Sequence, residues 1–363
     1  MNTTTQLLRP SRHLLRHVAV RLFSTSRRCR QQQKNASADE AAQRMLETHG
    51  RTTVVRRQLI DPNQLAKLAF TLGRPTVSGV AVADDTVLPA GTPVPAGYHL
   101  VYFTPGGVEA DLGRDGTDRS FNAPAPFSRR MWAGGAMEWK GGEEGGGGGG
   151  GGDQIIKVGD EVEERTRLLS ATPKTSKSTG AGMVLVEVEK ELWSPRGLAV
   201  VDRRSWIFRP AVTAADLQAA QPPPFLPNSD SVSSVEDHQT DGGGLVRSFT
   251  WSPVGLFRFS ALTFNGHKIH YNEDWTHKVE SHAGLVVHGP LNLINLLNYW
   301  QDAHGSVAGR SVKKIAYRAV SPIYAGQPYQ VRTKAEGRTE AGERKWHVVA
   351  EKNGTACMVA EIE

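Results

Sequence analysis

The stretch NGHKIHY, Asn265 to Tyr271, places one amide and two imidazoles within seven residues. Histidine can take up and release a proton near neutral pH, because its ordinary pKa lies there. We therefore predict that His270 acts as a general base. Asn265 exchanges no protons usefully, but its amide can hold a hydroxyl group or a water molecule. The sequence thus predicts a catalytic loop at this point.

A helix that begins shortly after this loop supplies the third group. The segment GPLNLINLLNYWQDAHG has one apolar stripe, begins with Gly289 and Pro290 and ends at a glycine. Backbone N–H groups in the first turn of a helix are free, and they lie at the positive end of the helix dipole. Pro290 has no N–H, so Gly289 is the expected donor, and its missing side chain lets a carbonyl approach. A base, an amide and such a donor can together form an enolate beside a carbonyl group.

A metal site is the alternative for this region, because six of the twelve histidines lie between His267 and His304. His267 and His270 are three residues apart, but Gly266 and its turn-like surroundings do not favour a helix. No third ligand stands at a recognisable spacing, and there is no His-Glu-x-x-His motif. We therefore expect no metal and no other cofactor, and a capping or supporting role for His288. Four further histidines are expected to be exposed: His267, His277, His282 and His304.

The elements that must position these residues follow the same order twice along the chain. In the first half, DPNQLAKLAFTLG predicts a helix with Asp61 as its N-cap, and RRMWAGGAMEW is a second helix candidate that its glycine pair weakens. Strands are expected over 160–169, 183–193 and 198–208. In the second half, helices over SPVGLFRFSALTF and GPLNLINLLNYW precede strands near Tyr317, Tyr329, Trp346 and Met358. A helix wrapped by an antiparallel sheet, made twice, is the expected architecture.

Composition divides the chain into four parts. Residues 1–38 contain seven arginines and one lysine but no acidic residue, and RLFSTS resembles the processing site of mitochondrial presequences. We predict a presequence and disordered arm over 1–38, a first globular half over 55–212, a linker over 213–245 and a second half over 246–363. A glycine-rich insertion over 141–152 interrupts the first half.

The remaining totals exclude several classes of protein. The net charge of +6 comes mostly from the N-terminal arm, so the basic pI does not indicate nucleic-acid binding. No segment is apolar for long enough to cross a bilayer. The two cysteines, Cys29 and Cys357, cannot form a disulfide framework or a Cys-based zinc site.

SALTFNGHKIHY together with GLVVHGPL resembles the MaoC-like hydratase/dehydratase family, and within it the mitochondrial 3-hydroxyacyl-thioester dehydratase type 2 and fungal mesaconyl-CoA-hydratase-like proteins. In the first half, GYHLVYFTP, RRMWAGG and VVDRRSWIFR resemble the N-terminal domain of the same proteins. The resemblance implies an α+β fold, a double hot-dog in which each half is a long central helix wrapped by an antiparallel sheet. The first half would be non-catalytic and the second catalytic. His270 and Gly289 match the catalytic and oxyanion positions, and Asn265 stands where the broader family has Asp.

The resemblance also implies a reaction, which is the reversible dehydration of 3-hydroxyacyl thioesters to trans-2-enoyl thioesters. A mitochondrial matrix enzyme of fatty acid synthesis would take its substrate on acyl carrier protein. The alternatives are a CoA-dependent enoyl- or mesaconyl-CoA-type hydratase, a thioesterase and a non-catalytic acyl-binding protein. A homodimer is a further expectation. The candidates for binding an acidic carrier are Arg310, Lys313, Lys314 and Arg318, although a solvated strand face is an equally good interpretation of this basic run.

Overall fold

The computed structural model describes residues 36–141, 154–177, 179–213, 232–306 and 311–363. In this part of the chain the helices are α1 (Ala38–His49), α2 (Pro62–Thr71), α3 (Pro253–Leu262), α4 (Glu273–Lys278) and α5 (Gly289–Trp300). The strands of the first half are β1 (Thr53–Leu59), β2 (Thr76–Val77), β3 (Val80–Ala81), β4 (Arg129–Trp139), β5 (Glu161–Thr175), β6 (Gly182–Ser194) and β7 (Gly197–Arg209). Those of the second half are β8 (Ser234–Gln239), β9 (Leu245–Thr250), β10 (Lys314–Ala319), β11 (Tyr329–Arg338), β12 (Arg344–Lys352) and β13 (Thr355–Ile362).

The main sheet shows that the chain is built from two halves of the same design. Its strand order is β1-β5-β6-β7-β4 in the first half and β10-β13-β12-β11-β9 in the second, with β8 added at the outer edge. Read from β1 inward, the first half has the order β1-β5-β6-β7-β4, and read from β9 inward, the second half has the order β9-β11-β12-β13-β10. In both halves the second of these five strands along the chain therefore lies at the junction and the first lies farthest from it. The halves are joined where β4 pairs with β10, from Glu138 opposite Lys314 to Gly134 opposite Arg318. All pairs in this sheet are antiparallel.

The helix starts follow from local side-chain chemistry, as the sequence predicts. Asp61 accepts the N–H groups of Asn63 and Gln64 at the start of α2, and Ser252 accepts the N–H of Gly255 at the start of α3. A proline lies in the first turn of each helix, where its missing N–H costs nothing. The predicted starts of α2 and α3 are therefore confirmed.

The central helix of the second half, α5, is buried on all sides rather than along one stripe. Every residue from Leu291 to Trp300 is buried, including three asparagines. Two of these share one partner, because the Tyr329 hydroxyl donates to Oδ1 of Asn292 at 2.8 Å and accepts from Nδ2 of Asn295 at 2.9 Å. Buried amides are tolerated when they are hydrogen-bonded in this way. This network fixes the position of α5 against β11.

The segment RRMWAGGAMEW, predicted as a helix, is strand β4, and that prediction is wrong. Gly134 and Gly135 have φ values of 156° and 159°, which are close to extended backbone. Both glycines are needed because the neighbouring strands come very near. A side-chain carbon on Gly135 would lie 2.1 Å from the carbonyl oxygen of Arg203, and one on Gly134 would lie 2.5 Å from that of Tyr317. The pairing of β4 between β7 and β10 therefore determines the conformation.

The helix that packs on the sheet comes at a different point of the chain in the two halves: before β1 in the first half, and between β9 and β10 in the second. Residues 60–128, which connect β1 to β4 and are all described, contain α2 and two short 3₁₀ turns but no counterpart of α5. The helix that packs on β5 and β6 is α1, which precedes β1 and was not predicted. Ser37 and Glu40 form a capping box at its start, and Ala36 is buried. The folded region thus includes residues 36–38, which were assigned to the disordered arm.

The predicted linker over 213–245 also contains ordered structure. Strand β8 lies within it and pairs with β9 from Ser234 opposite Thr250 to Gln239 opposite Leu245. The other predicted low-complexity regions lie outside the described residues, namely the presequence over 1–35, most of the glycine-rich insertion and residues 214–231 of the linker. Within the described ranges, the helices are all too short or too polar to serve as a membrane span.

Candidate active site

The loop between α3 and α4 holds Asn265 through two local hydrogen bonds. The backbone N–H of Asn265 donates to the carbonyl of Ser260 at 2.9 Å. Its side-chain Oδ1 accepts the N–H of His267 at 3.0 Å, which is the turn that asparagine and aspartate favour. Phe264, immediately before it, has a φ of 48°, so the chain reverses sharply after α3. The Oδ1 atom is thus used locally, and the Nδ2 atom makes no hydrogen bond to any described residue.

His270 ends a single 3₁₀ turn, Lys268–His270, and one ring nitrogen is fixed by the backbone. Its Nδ1 lies 2.7 Å from the carbonyl oxygen of Val286. A carbonyl can only accept, so Nδ1 carries the proton and Nε2 has the free lone pair. Burial lowers the pKa of His270 to about 4, and the nearby His282 acts in the same direction. The neutral imidazole is therefore the form present at neutral pH.

His288 lies directly against His270 and is held from the other side by Ser260. The two imidazole rings stack with centroids 3.6 Å apart and planes 18° apart. His288 Nε2 is 2.8 Å from the Ser260 hydroxyl, while its Nδ1 is buried without a hydrogen-bond partner among the described residues. Burial lowers the pKa of His288 well below its ordinary value, and a charge on His270 would lower it further. Ser260 therefore positions both the stacked ring and, through its carbonyl, Asn265.

Gly289 begins α5 and touches a side chain from the first half of the chain. A side-chain carbon on Gly289 would lie 2.9 Å from Cγ of Trp132, closer than such atoms approach in proteins. Trp132, on β4, thus occupies the space that any larger residue would need. The expected reason for a glycine here was access for a ligand carbonyl, and the structure adds this second reason. Among the described residues, the Gly289 N–H has no acceptor, as is normal for the first turn of a helix.

One cavity of about 660 Å³ brings these groups together. Asn265, His270, His288 and Gly289 all line it. Residues of both halves contribute to its wall, and Phe264, which also lines it, is 69% exposed. The four residues selected from the sequence therefore share one cleft that reaches the surface.

A loop of the first half supports the candidate catalytic loop, a contact that no sequence pattern indicates. The carbonyl of Asp115 accepts the N–H of Lys268 at 2.8 Å, and its Oδ2 lies 3.8 Å from Nε2 of His267. Gly116 packs so closely that a side-chain carbon there would lie 2.0 Å from the carbonyl oxygen of Gly266. His267 is consequently buried, and burial lowers its pKa well below the ordinary value.

The expectation of exposed histidines is therefore wrong. His267 is buried, and three others are partly buried: His277, His282 and His304. His282 also lines the cavity. Among the described residues, no group of three or more His, Cys, Asp or Glu side chains is arranged to hold a metal ion.

The structure does not bring the basic run to the cavity. Arg310 lies outside the described residues. Lys313 Nζ lies 3.0 Å from Glu343 Oε1, Lys314 begins β10, and Arg318 is exposed near its end. None of the three lines the cavity, although Ala319–Ser321, which directly follow Arg318, do so.

One cleft between two halves of the same design contains a histidine with a fixed tautomer, an amide and a helix N-terminus, an arrangement that fits the hot-dog enzymes that act on acyl thioesters. Known proteins agree with this assignment. The family profile described as hydroxyacyl-thioester dehydratase type 2 matches residues 97–325. The chain belongs to this family.

Two relatives are similar over most of their length. The mesaconyl-C(4)-CoA hydratase of Chloroflexus aurantiacus is 26% identical over 290 residues, which are 79% of this chain and 88% of the relative. The mitochondrial hydroxyacyl-thioester dehydratase type 2 of Schizosaccharomyces pombe is 24% identical over 288 residues, 77% of this chain and 89% of the relative. Family and relatives together make this chain a hydro-lyase, with hydroxyacyl-thioester dehydratase activity.

Solved structures show the same fold. A MaoC-like dehydratase superposes with a TM-score of 0.59 at 14% identity, covering 88% of this chain and 98% of that one. The MaoC-like dehydratase from Phytophthora capsici gives a TM-score of 0.53 at 14% identity, covering 86% and 94%. The predicted α+β double hot-dog is confirmed, with the central helix of the first half replaced by α1.

Proposed function

We propose that this protein dehydrates 3-hydroxyacyl thioesters reversibly and that His270, Asn265 and Gly289 carry the reaction. The observation that carries the proposal is the state of His270. Its Nδ1 is committed to the carbonyl of Val286, and burial keeps the ring neutral. Its Nε2 makes no hydrogen bond to any described residue. A neutral imidazole with one free nitrogen in an acyl-sized cavity is suited to remove a proton.

The reaction divides among the three groups by their chemistry. The Gly289 N–H donates to the thioester carbonyl oxygen, which stabilises the negative charge that forms when Cα loses its proton. Nε2 of His270 takes that proton. Asn265 donates from Nδ2 to the 3-hydroxyl and holds it in place. The C–O bond then breaks, His270 returns the proton to the departing hydroxide, and water and the trans-2-enoyl thioester are released.

His288 and Ser260 keep the base in position. The stacked ring of His288 limits rotation of His270, and the Ser260 hydroxyl holds His288 in turn. A base held at a fixed distance from the substrate does not lose activity to motion away from it. These two residues position the base and do not themselves move protons.

Compartment and carrier form the finer part of the proposal. We place the enzyme in the mitochondrial matrix, acting on acyl carrier protein in fatty acid synthesis. Residues 1–38 are rich in arginine and free of acids, and the relative from Schizosaccharomyces pombe is named as mitochondrial. The protein isolated from mitochondria should then begin shortly after RLFSTS. An N-terminal sequence that starts at Met1 would contradict import by a presequence.

A CoA-dependent hydratase is the second candidate, and the similarity to a mesaconyl-C(4)-CoA hydratase favours it. A thioesterase is disfavoured, because the first turns of α5 read GPLNLINLL and offer no carboxylate. A non-catalytic acyl-binding protein would not need a base fixed in one tautomer. A homodimer is part of the proposal, and the mass of the purified protein in solution tests it.

One set of assays tests the function and the carrier together. Purified protein is incubated with a 3-hydroxyacyl-CoA and with the same acyl group on acyl carrier protein, and formation of the enoyl thioester is followed by absorbance. We expect turnover of both and a preference for acyl carrier protein. Absence of enoyl product from both substrates would refute the proposed function.

Charge reversal then tests the basic strand. Lys314→Glu with Arg318→Glu should raise KM about tenfold for the acyl carrier protein substrate at low salt and much less for the CoA thioester. Reversal at Lys313 should act in the same direction. Lys67→Glu, on the exposed face of α2, is the control. Equal effects on both carriers would remove this strand from carrier binding and make the CoA-dependent hydratase the leading candidate.

A further inference from the structure

The imidazole of His267 belongs to the cavity wall, and the mechanism above leaves it without a role. His267 is 8% exposed and lines the cavity beside His270, with the two ring centroids 5.4 Å apart and the planes at 84°. Neither ring nitrogen of His267 makes a hydrogen bond to a described residue, although a carboxylate lies 3.8 Å from Nε2. Buried polar side chains are normally hydrogen-bonded, so the expected partner is a ligand or a water molecule in the cavity.

The carboxylate beside His267 is that of Asp115, a residue of the first half that is fixed in place by other contacts. Its Oδ1 accepts the N–H of Thr117 at 3.1 Å and the Thr117 hydroxyl at 2.8 Å. Its backbone carbonyl accepts the N–H of Lys268 at 2.8 Å. The side chain is buried, and its Oδ2 is the atom that faces Nε2 of His267. One carboxylate oxygen is therefore kept for this imidazole.

Asp115 favours one tautomer of His267. Burial lowers the pKa of His267 well below its ordinary value, so at neutral pH the ring is neutral and has one N–H and one lone pair. A carboxylate only accepts hydrogen bonds, so the proton belongs on Nε2, and a movement of about 1 Å turns the present contact into a hydrogen bond. The lone pair is then on Nδ1, which is left as a free acceptor.

This acceptor lies in the same loop as the two groups already proposed to handle the 3-hydroxyl. Asn265 Oδ1 accepts the N–H of His267 at 3.0 Å, which leaves Nδ2 of Asn265 as a donor. The spacing of the His267 and His270 rings allows one oxygen atom to lie about 2.8 Å from a nitrogen of each. The loop thus offers one donor and two acceptors to a single oxygen atom.

A water molecule uses these three groups completely. It has two hydrogens and two lone pairs. One hydrogen points to Nε2 of His270, the other to Nδ1 of His267, and one lone pair accepts from Nδ2 of Asn265. The second lone pair remains, and it is the one that can bond to C3 of an enoyl thioester.

We propose that His267, with its tautomer fixed by Asp115, accepts the hydrogen of the substrate's 3-hydroxyl and, in the reverse reaction, one hydrogen of the attacking water. The inference rests on the proposed function and adds the residue that selects for the hydroxyl group. In hydration, the water oxygen bonds to C3, one proton passes to His270 and then to Cα, and the other stays on the oxygen. His267 contacts the reacting group, whereas Asp115 is a positioning residue.

Two substitutions at His267 separate the roles of its ring nitrogens. Asparagine has its polar atoms at the place of Nδ1, and glutamine has them at the place of Nε2. We expect His267→Asn to keep kcat within about tenfold of wild type, and His267→Gln to lower it about 10- to 100-fold, as for the loss of a buried hydrogen bond. His238→Gln, on the exposed strand β8, is the control. A folded His267→Gln that is as active as His267→Asn would overturn the inference.

Asp115→Asn tests the positioning role and also serves if His267→Gln does not fold. An amide can turn either its N–H or its carbonyl toward Nε2, so the tautomer of His267 is no longer fixed. We expect kcat to fall about tenfold with KM changed less than about threefold. Asp111→Asn, an exposed residue of the same loop, is the control. A less stable Asp115→Asn with unchanged kcat would show that Asp115 only holds the loop.

Binding distinguishes this inference from the proposed function. In His270→Ala, titration calorimetry should show about tenfold tighter binding of a 3-hydroxyacyl-CoA than of the saturated acyl-CoA of the same length. Adding His267→Gln should abolish this preference and leave the affinity for the saturated ester within about twofold. That result without turnover by wild type would refute the dehydratase and retain the hydroxyl site. A preference that survives His267→Gln, alongside turnover by wild type, would retain the dehydratase and refute the role of His267.

Discussion

Acid should destabilise this protein through the histidines of the candidate active site, and His270 gives the magnitude. Its pKa is about 4 in the folded chain against an ordinary value of 6.5, because the ring is buried. Such a difference corresponds to about 3 kcal/mol in favour of the neutral form. Below the ordinary value the unfolded chain binds the proton and the folded chain does not. Stability from His270 is thus fully present above pH 6.5 and is lost as the pH falls to about 4.

The assay is urea unfolding at two pH values. Between about pH 7 and pH 4.5, wild type should lose about 2.5 kcal/mol through His270 alone, and His267 and His288, whose pKa values are lowered in the same direction, add to that loss. His270→Ala should lose about 2.5 kcal/mol less over this interval. His238→Ala, an exposed histidine on β8, is the control and should lose as much as wild type.

The pH dependence of kcat/KM is a second measure of the pKa of His270. With the base neutral down to about pH 4, kcat/KM should be constant between about pH 5.5 and 8. An acid limb near pH 6.5, or identical pH dependence of unfolding in wild type and His270→Ala, would refute the reasoning. Either result would mean that the ring is solvated in the folded protein.

Three substitutions test the rest of the site. Gly289→Ala places a carbon 2.9 Å from Trp132 Cγ, so thermal unfolding should show a free energy of unfolding about 1–3 kcal/mol lower than in wild type. In the steady-state assay kcat should fall at least about tenfold. A variant as stable and as active as wild type would contradict the contact. Asn265→Asp keeps the acceptor for the local turn, and its second carboxylate oxygen can still hold the 3-hydroxyl by accepting its hydrogen, so activity in the steady-state assay should stay within about tenfold of wild type; an inactive folded variant would show that donation from Nδ2 is essential. Ser260→Ala leaves His288 without its partner and should lower kcat about tenfold with little change in KM; an effect on KM alone would assign Ser260 to substrate binding.

The sequence predicted those parts of the fold that depend on neighbours in the chain. Asp61 and Ser252 act through N–H groups two or three residues away, so the starts of α2 and α3 could be read directly. The site residues Asn265 and His270 lie in one short loop, and their spacing was sufficient to select them. Gly289 could be predicted as the backbone donor because Pro290, which follows it, has no N–H.

The rest depends on contacts across the sheet, which no local pattern reveals. The local pattern of β4 predicts a helix, because the strands that pair with Gly134 and Gly135, β7 and β10, are distant in the chain. His267 was expected to be exposed because Asp115, which lies against it, is about 150 residues away in the chain. The contact of Trp132 with Gly289 likewise brings together two segments that are distant in the chain.

The central claim is that His270 moves the proton, and the turnover of folded His270→Ala tests it most directly. The variant is checked for a wild-type-like fold by circular dichroism and for substrate binding by calorimetry, and its kcat is measured with a 3-hydroxyacyl thioester. We expect kcat to fall by about 10²- to 10⁴-fold while the substrate still binds. A folded variant with turnover within a few-fold of wild type would contradict the claim.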